Sequence, residues 1–177
     1  LSSNMDSIME LFNKKIQDGI NNIDFNTTGE YDGTTITDTT LIMKDEFIMS
    51  VPGVFTNSSE AFNYSYSFKE ESDFNKCEFT FESIKGYSTS KSLIKQMAKY
   101  YKNDIAIDVT KNTINNLDWY WFKTKDSFSE TYYYGVVKNN KVYLLKYEDG
   151  TKNSNECENY RTLIINSIKT NNKAWIR

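Results

Sequence analysis

The chain has no histidine. That single absence excludes Ser-His-Asp and Cys-His catalysis, the HExxH zinc helix and any imidazole pH sensor. Cysteine is nearly missing too. Cys77 and Cys157 stand alone, so no four-ligand cysteine zinc site can be built. No GxGxxG, P-loop or CxxC motif occurs. Basic charge is not in excess: 21 Lys and Arg face 24 Asp and Glu, for a net charge of −3 and a pI near 5.1. A nucleic-acid footprint is therefore not expected. The longest unbroken apolar stretch, Tyr132 to Val137, is far too short to span a bilayer. One Pro and seven Gly stand against twenty Asn, and 19 of the 21 basic residues are Lys. Such a bias often reflects AT-rich coding, so Asn-rich turns and the sequons at Asn26, Asn57 and Asn63 need no functional explanation.

What is abundant is aromatic. Among 177 residues are 13 Tyr, 11 Phe and 3 Trp, a load of large rings that a disordered chain does not carry. The length suits one domain with a short appendage. Met5, Ile8, Met9, Phe12 and Ile16 recur at helical spacing, and Asn21 to Thr35 reads as a linker. The chain thus divides into an N-terminal amphipathic helix and linker over 1–34, a folded domain over 35–171 and a tail over 172–177. The first helix suits docking, loose tethering or a partner groove. Because numbering starts at Leu1, followed by polar Ser2-Ser3-Asn4, an upstream segment is expected to have been removed. A trimmed secretory or lipoprotein leader and a conveniently chosen cut are the two explanations.

Within the domain, short strands come first. Leu41 to Met43 and Glu46 to Val51 flank Lys44-Asp45 as a tight turn, and Pro52-Gly53 ends the second strand. Asn57 to Glu60 reads as a loop. Phe62, Tyr64, Tyr66 and Phe68 then alternate with polar residues, as on a strand with one wet face. After the acidic cluster Glu70, Glu71 and Asp73, residues Cys77, Phe79 and Phe81 share one strand parity. Ser88-Thr89-Ser90 caps a helix with Leu93, Ile94, Met97, Tyr100 and Tyr101 on one stripe, ending near Asn103. Ile105 to Val109 reads as a short strand, followed by the aromatic run Leu117 to Phe122.

The plainest element is a hairpin over Thr131 to Glu148 turning at Asn139-Asn140. Its register pairs Lys138 with Lys141, Val137 with Val142, Val136 with Tyr143 and Tyr134 with Leu145. Both hairpin faces are apolar, so both need cover. An antiparallel sheet with helices on each side is the economical solution. The last helix opens on Asn153 with Glu156 three residues on, a capping box, and runs to about Lys169. Cys157, Tyr160, Ile164 and Ile168 form its stripe. Both sulfurs therefore face a core, where a bridge would add about 4 kcal/mol. Two buried thiols are the alternative.

This order of elements resembles the PsbP-like superfamily. The residues that carry the resemblance are Phe47 to Gly53, Ile114-Asn115-Asn116-Leu117, the tyrosine-rich hairpin and the closing Leu163 to Lys169; Gly53 is followed by Val54 rather than tryptophan. The superfamily includes an extrinsic photosystem II subunit, a Ran-binding import regulator and many bacterial lipoproteins. The resemblance implies an α+β, three-layer α/β/α sandwich on a central antiparallel sheet. It shares no catalytic set, so it implies no functional residue here.

Three groups of residues invite a chemical reading. Asp149 to Glu156 places oxygens at alternate positions, as calcium loops do, but lacks the sixth-position Gly and the twelfth-position Glu; it reads as a turn and helix cap. Glu70, Glu71 and Asp73 read as a solvated loop rather than a glycosidase pair. Trp119 and Trp121 share a sheet face, which suits core burial better than a sugar platform. The expectation is a non-enzymatic binding or accessory module of the bacterial cell envelope, secreted or lipid-anchored upstream. A protein or surface polymer is its expected partner, with no nucleic acid, metal or cofactor, and with Cys77–Cys157 as candidate disulfide. The alternative is a carboxylate-dependent hydrolase acting on a surface glycan.

Overall fold

The computed structural model describes residues 38–58, 62–67, 76–101, 108–150 and 154–171, all within the unit Ile36–Arg177. The N-terminal helix and linker, Phe68, the acidic cluster Glu70, Glu71 and Asp73, the Asn153 cap and the tail all lie outside the described residues.

Among the described residues, two antiparallel sheets and two helices make the fold. The smaller sheet orders β1 (Thr39–Lys44), β2 (Phe47–Pro52) and β10 (Lys169–Thr170). The larger has seven strands in the order β3-β4-β5-β9-β8-β7-β6. These are β3 (Thr56–Asn57), β4 (Asn63–Ser67), β5 (Lys76–Ile84), β6 (Thr110–Ile114), β7 (Leu117–Lys125), β8 (Ser129–Lys138) and β9 (Lys141–Gly150). The helices are α1 (Ser90–Tyr100) and α2 (Ser154–Ser167). The fold is α+β, as expected.

Turn chemistry explains the hairpins. Asn139 and Asn140 have φ of 49° and 59°, the left-handed pair that a two-residue hairpin needs. The register across them is the expected one, from Lys138 opposite Lys141 to Tyr134 opposite Leu145. Asn115 and Asn116 repeat the device, with φ of 51° and 60°. That turn fixes Ile114 opposite Leu117, so the strand before the aromatic run is Thr110–Ile114. Asp108 and Val109, at the end of the strand expected over Ile105 to Val109, are not in a strand.

Other boundaries also move. The first turn is Asp45-Glu46, with Lys44 paired to Phe47, because Asp45 takes φ 50°, which a short polar side chain tolerates better than Lys. Asn57 belongs to a short strand opposite Tyr64. The last helix stops at Ser167, and Lys169–Thr170 pairs with Phe47 and Ile48. Asp149 and Gly150 extend β9 rather than opening a turn.

Strand parity sorts the core into two clusters on opposite faces of the larger sheet. Phe79, Phe81, Trp119, Tyr132, Tyr134, Val136, Tyr143, Leu145 and Tyr147 pack with Phe47, Met49 and Val51 of β2, with Cys157 and Ile164 of α2 and with Ile168 just past its end. Phe122, Tyr133, Val142 and Leu144 pack with Leu93, Ile94 and Ala98 of α1. Each face therefore carries a helix. Gly135 lets α1 approach closely: a Cβ there would lie 2.8 Å from Ile94 Cγ1.

Candidate functional site

The densest polar chemistry lies under α2. Helical spacing puts Arg161 one turn after Cys157 and one turn before Ile164, on the stripe facing the sheet. Cys157 is bridged to Cys77, with Cα atoms 5.6 Å apart, so the start of α2 is bonded to β5. Asp149 is the cross-strand partner of both Cys77 and Glu130. Tyr132 and Tyr134 follow on β8, and Trp121 sits opposite Tyr134 on β7.

Arg161 lies flat over this array. Its Cζ is 3.5 Å from the Tyr132 ring centroid, Nη1 donates to Tyr134 Oη at 3.3 Å, and Nη2 pairs with Glu158 at 3.4 Å. Trp121 stacks beside Tyr134 with centroids 5.7 Å apart. Tyr132 donates its hydroxyl to Glu130 at 2.7 Å, and Lys123 and Lys125 reach the same carboxylate at 3.2 and 3.1 Å. Arg rather than Lys suits the place, because a planar guanidinium can stack and donate at once.

The two carboxyl groups have opposite fates. The Tyr132 hydroxyl first, with Lys125 and Lys123 behind it, holds Glu130 ionised down to a pKa of about 2. Burial pushes Asp149 up to about 7, against the pull of Arg161. Asp149 is only 3% exposed and Arg161 8%. Asp149 Oδ1, Arg161 Nε, and the indole nitrogens of Trp119 and Trp121 are buried without hydrogen-bond partners among the described residues. Carboxyls with separated acidities are the raw material of acid–base chemistry, yet the one near neutrality is sealed beneath α2. Among the described residues no group of three or more Cys, Asp or Glu is arranged to hold a metal ion.

The residues that the sequence singles out take definite places in this geometry. Cys77 and Cys157 meet and are bonded. Trp119 is fully buried and Trp121 partly so, both on the face that α2 covers. Asp149, expected to open a calcium-like turn, is instead a buried strand residue. Sequence reasoning missed Arg161. Its signal is there all the same: one of two arginines in a lysine-biased chain, set on an apolar helical stripe.

No family model and no curated protein matches the chain. Solved structures do. The chain is similar to the solution structure of cyanobacterial PsbP (CyanoP) from Synechocystis sp. PCC 6803, at 8% identity and a TM-score of 0.44, over 81% of this chain and 99% of that one. It is also similar to a crystal structure from Bacteroides thetaiotaomicron VPI-5482, at 12% identity and a TM-score of 0.49, over 78% of this chain. There it spans 50% of the other protein's length. Likenesses at this level assign no role to the chain. Among the described residues no helix is long and apolar enough to cross a membrane.

Proposed function

We propose that the protein is a non-enzymatic binding or accessory module of the cell envelope, secreted or lipid-anchored, whose partner is a protein or a surface polymer. The observation that carries this reading is the bridge between Cys77 and Cys157, both fully buried and placed where α2 meets the sheet. Disulfides of this structural kind persist in oxidising compartments and are rare in reducing ones. The sealed polar cluster supports the same reading. Glu130 is held by three neighbours on β7 and β8, and Asp149 is shut off from solvent.

The test is to trap thiols in intact cells with a membrane-impermeant alkylating reagent and to follow the protein by protease shaving. An externally shaved protein with no free thiol supports the reading; a reduced, protease-protected protein overturns it. One observation favours the hydrolase alternative: Glu130 and Asp149 face each other across β8 and β9 with separated acidities. Turnover of a surface glycan that disappears in folded Glu130→Gln and Asp149→Asn variants would establish it in place of the module.

A further inference from the structure

From Ser83 to Asn103 the chain carries no acidic residue, its longest such run, although the protein as a whole is acidic. The run contains α1. Lys91, Lys95 and Lys99 recur every four residues along that helix, about 6 Å apart along its axis. All three are exposed, while Leu93, Ile94 and Ala98 are buried against the sheet. The stripe therefore runs along the exposed side of the helix.

Among the described residues no acidic side chain pairs with it. Seven ion pairs join described residues elsewhere, and none includes these three lysines. Lys91 lies over the Tyr120 ring, at 5.8 Å. Like charges spaced by four destabilise a helix, and a lysine in the first turn opposes the helix dipole. No acidic residue occupies that first turn to offset it. By contrast, α2 carries Glu156 in its first turn and a Glu158–Arg161 pair. An all-basic outer stripe costs stability that an external anion would repay.

The aromatic residues beside the stripe narrow the choice of anion. Tyr101 stacks on Tyr133 at 5.3 Å, and Tyr100 packs edge-on against Tyr101 at 5.4 Å, next to Lys99. Tyr100 is nonetheless 84% exposed. Tyr133 and the Phe122 beneath it belong to the two strands that run on into the Asp126–Ser129 turn. That turn presents Phe128, 58% exposed, with its backbone N–H held by Asp126 Oδ1. A polyanion without bases or acyl chains, such as polyphosphate, offers such rings nothing. The boundary between headgroups and acyl chains offers them burial beside the phosphates.

We propose that α1, with Tyr100 and Phe128 at its C-terminal end, docks the domain on an anionic phospholipid surface. Lipid phosphates bind Lys91, Lys95 and Lys99, and the two rings enter the headgroup layer. This goes beyond the partner reading above and does not depend on it.

The test uses the full chain and sedimentation with vesicles, either pure phosphatidylcholine or phosphatidylcholine mixed with phosphatidylglycerol. Binding is expected only to the anionic vesicles and is expected to weaken steeply between low and high salt. The triple variant Lys91→Gln, Lys95→Gln, Lys99→Gln should lose on the order of a hundredfold in partitioning, from about fivefold per lysine near the surface. These are surface substitutions, and retention of the Cys77–Cys157 bridge and of the far-ultraviolet spectrum reports folding. Tyr100→Ser and Phe128→Ser should weaken binding without changing its salt dependence. The proposal is overturned by equal binding to neutral vesicles, by no binding, or by a triple variant that binds like the wild type. Binding to soluble polyphosphate as strong as to vesicles, with the aromatic variants unaffected, would overturn the lipid assignment in favour of a polymer.

Discussion

Asp149 weakens the fold at neutral pH. Its folded pKa of about 7 lies above the ordinary 3.8 because burial disfavours the charged form. Between those values the unfolded chain has released a proton that the folded chain retains, so stability falls as pH rises through that window and then levels off. The cost at pH 8 is on the order of 4 kcal/mol. Asp149→Asn removes the ionisation while keeping the shape. In urea melts the variant is expected to exceed the wild type at pH 8 and to match it near pH 4. A variant less stable at pH 8, with an unchanged pH profile, would mean that the carboxylate pulls on Arg161 more than burial penalises it. Glu130 works in the opposite sense. Its pKa is lowered from 4.5 to about 2, so its contribution is present above 4.5 and is lost as pH falls toward 2. Glu46, held low by the Tyr143 hydroxyl and Lys141, acts in the same direction. Together these groups place the stability maximum between about pH 4 and 5, and a flat profile from 5 to 8 would contradict that.

At the scale of elements, the side chains that end helices matter more than helix propensity. Thr89 Oγ1 accepts the Ser92 N–H at 3.1 Å and caps α1; Thr89→Ala is expected to cost about 1 kcal/mol. Asn115 does two things. It takes the left-handed backbone at the β6–β7 turn, and its amide donates to the carbonyls of Asn166 and Ile168 at 2.6 and 2.9 Å, closing the C-terminal end of α2. Asn115→Gly keeps the turn and loses both hydrogen bonds, so a loss of roughly 1–3 kcal/mol in denaturant melts isolates the clamp. An unchanged midpoint would show that water replaces the amide. These contacts mark how far the sequence can be read. Asn139-Asn140 is legible because apolar strands of matching length flank it, and its register follows. Asn115-Asn116 has the same chemistry, but the polar strand Thr110–Ile114 before it hides the hairpin. The expected helix overruns to Lys169 because Ile164 and Ile168 carry the helical spacing past Ser167, and nothing local reports that β2 offers Lys169 a partner. The face of α2 and the meeting of the two cysteines are legible from periodicity. The Asp149–Arg161 cluster is not, because it joins elements brought together only by the sheet order β5-β9-β8.

For the molecule as a whole, the Cys77–Cys157 bridge is the covalent tie between distant elements. It joins β5 to the beginning of α2 across 80 positions, and the chain between them includes α1 and the strands β6 to β9. Closing so long a loop restricts the unfolded ensemble by about 4 kcal/mol. Domains of this size hold about 5–15 kcal/mol in all, so the bridge is a large share of the margin. Both sulfurs are fully buried, and a reductant therefore meets them only when the molecule opens. Two consequences can be measured together. Under native conditions, reduction by a small thiol should be slow and should accelerate with urea in step with unfolding. The Cys77→Ala, Cys157→Ala protein should unfold at a clearly lower urea midpoint and with a larger m-value, because its unfolded chain expands further. The dependence on urea tests whether opening exposes the bond, while the paired change in midpoint and slope tests whether the bond acts through the unfolded state. A double variant with the wild-type midpoint would sink the argument: the packing of α2 through Tyr160, Arg161 and Ile164 would then hold the helix without the bridge, and the cysteines would lose their weight as a mark of an oxidising compartment.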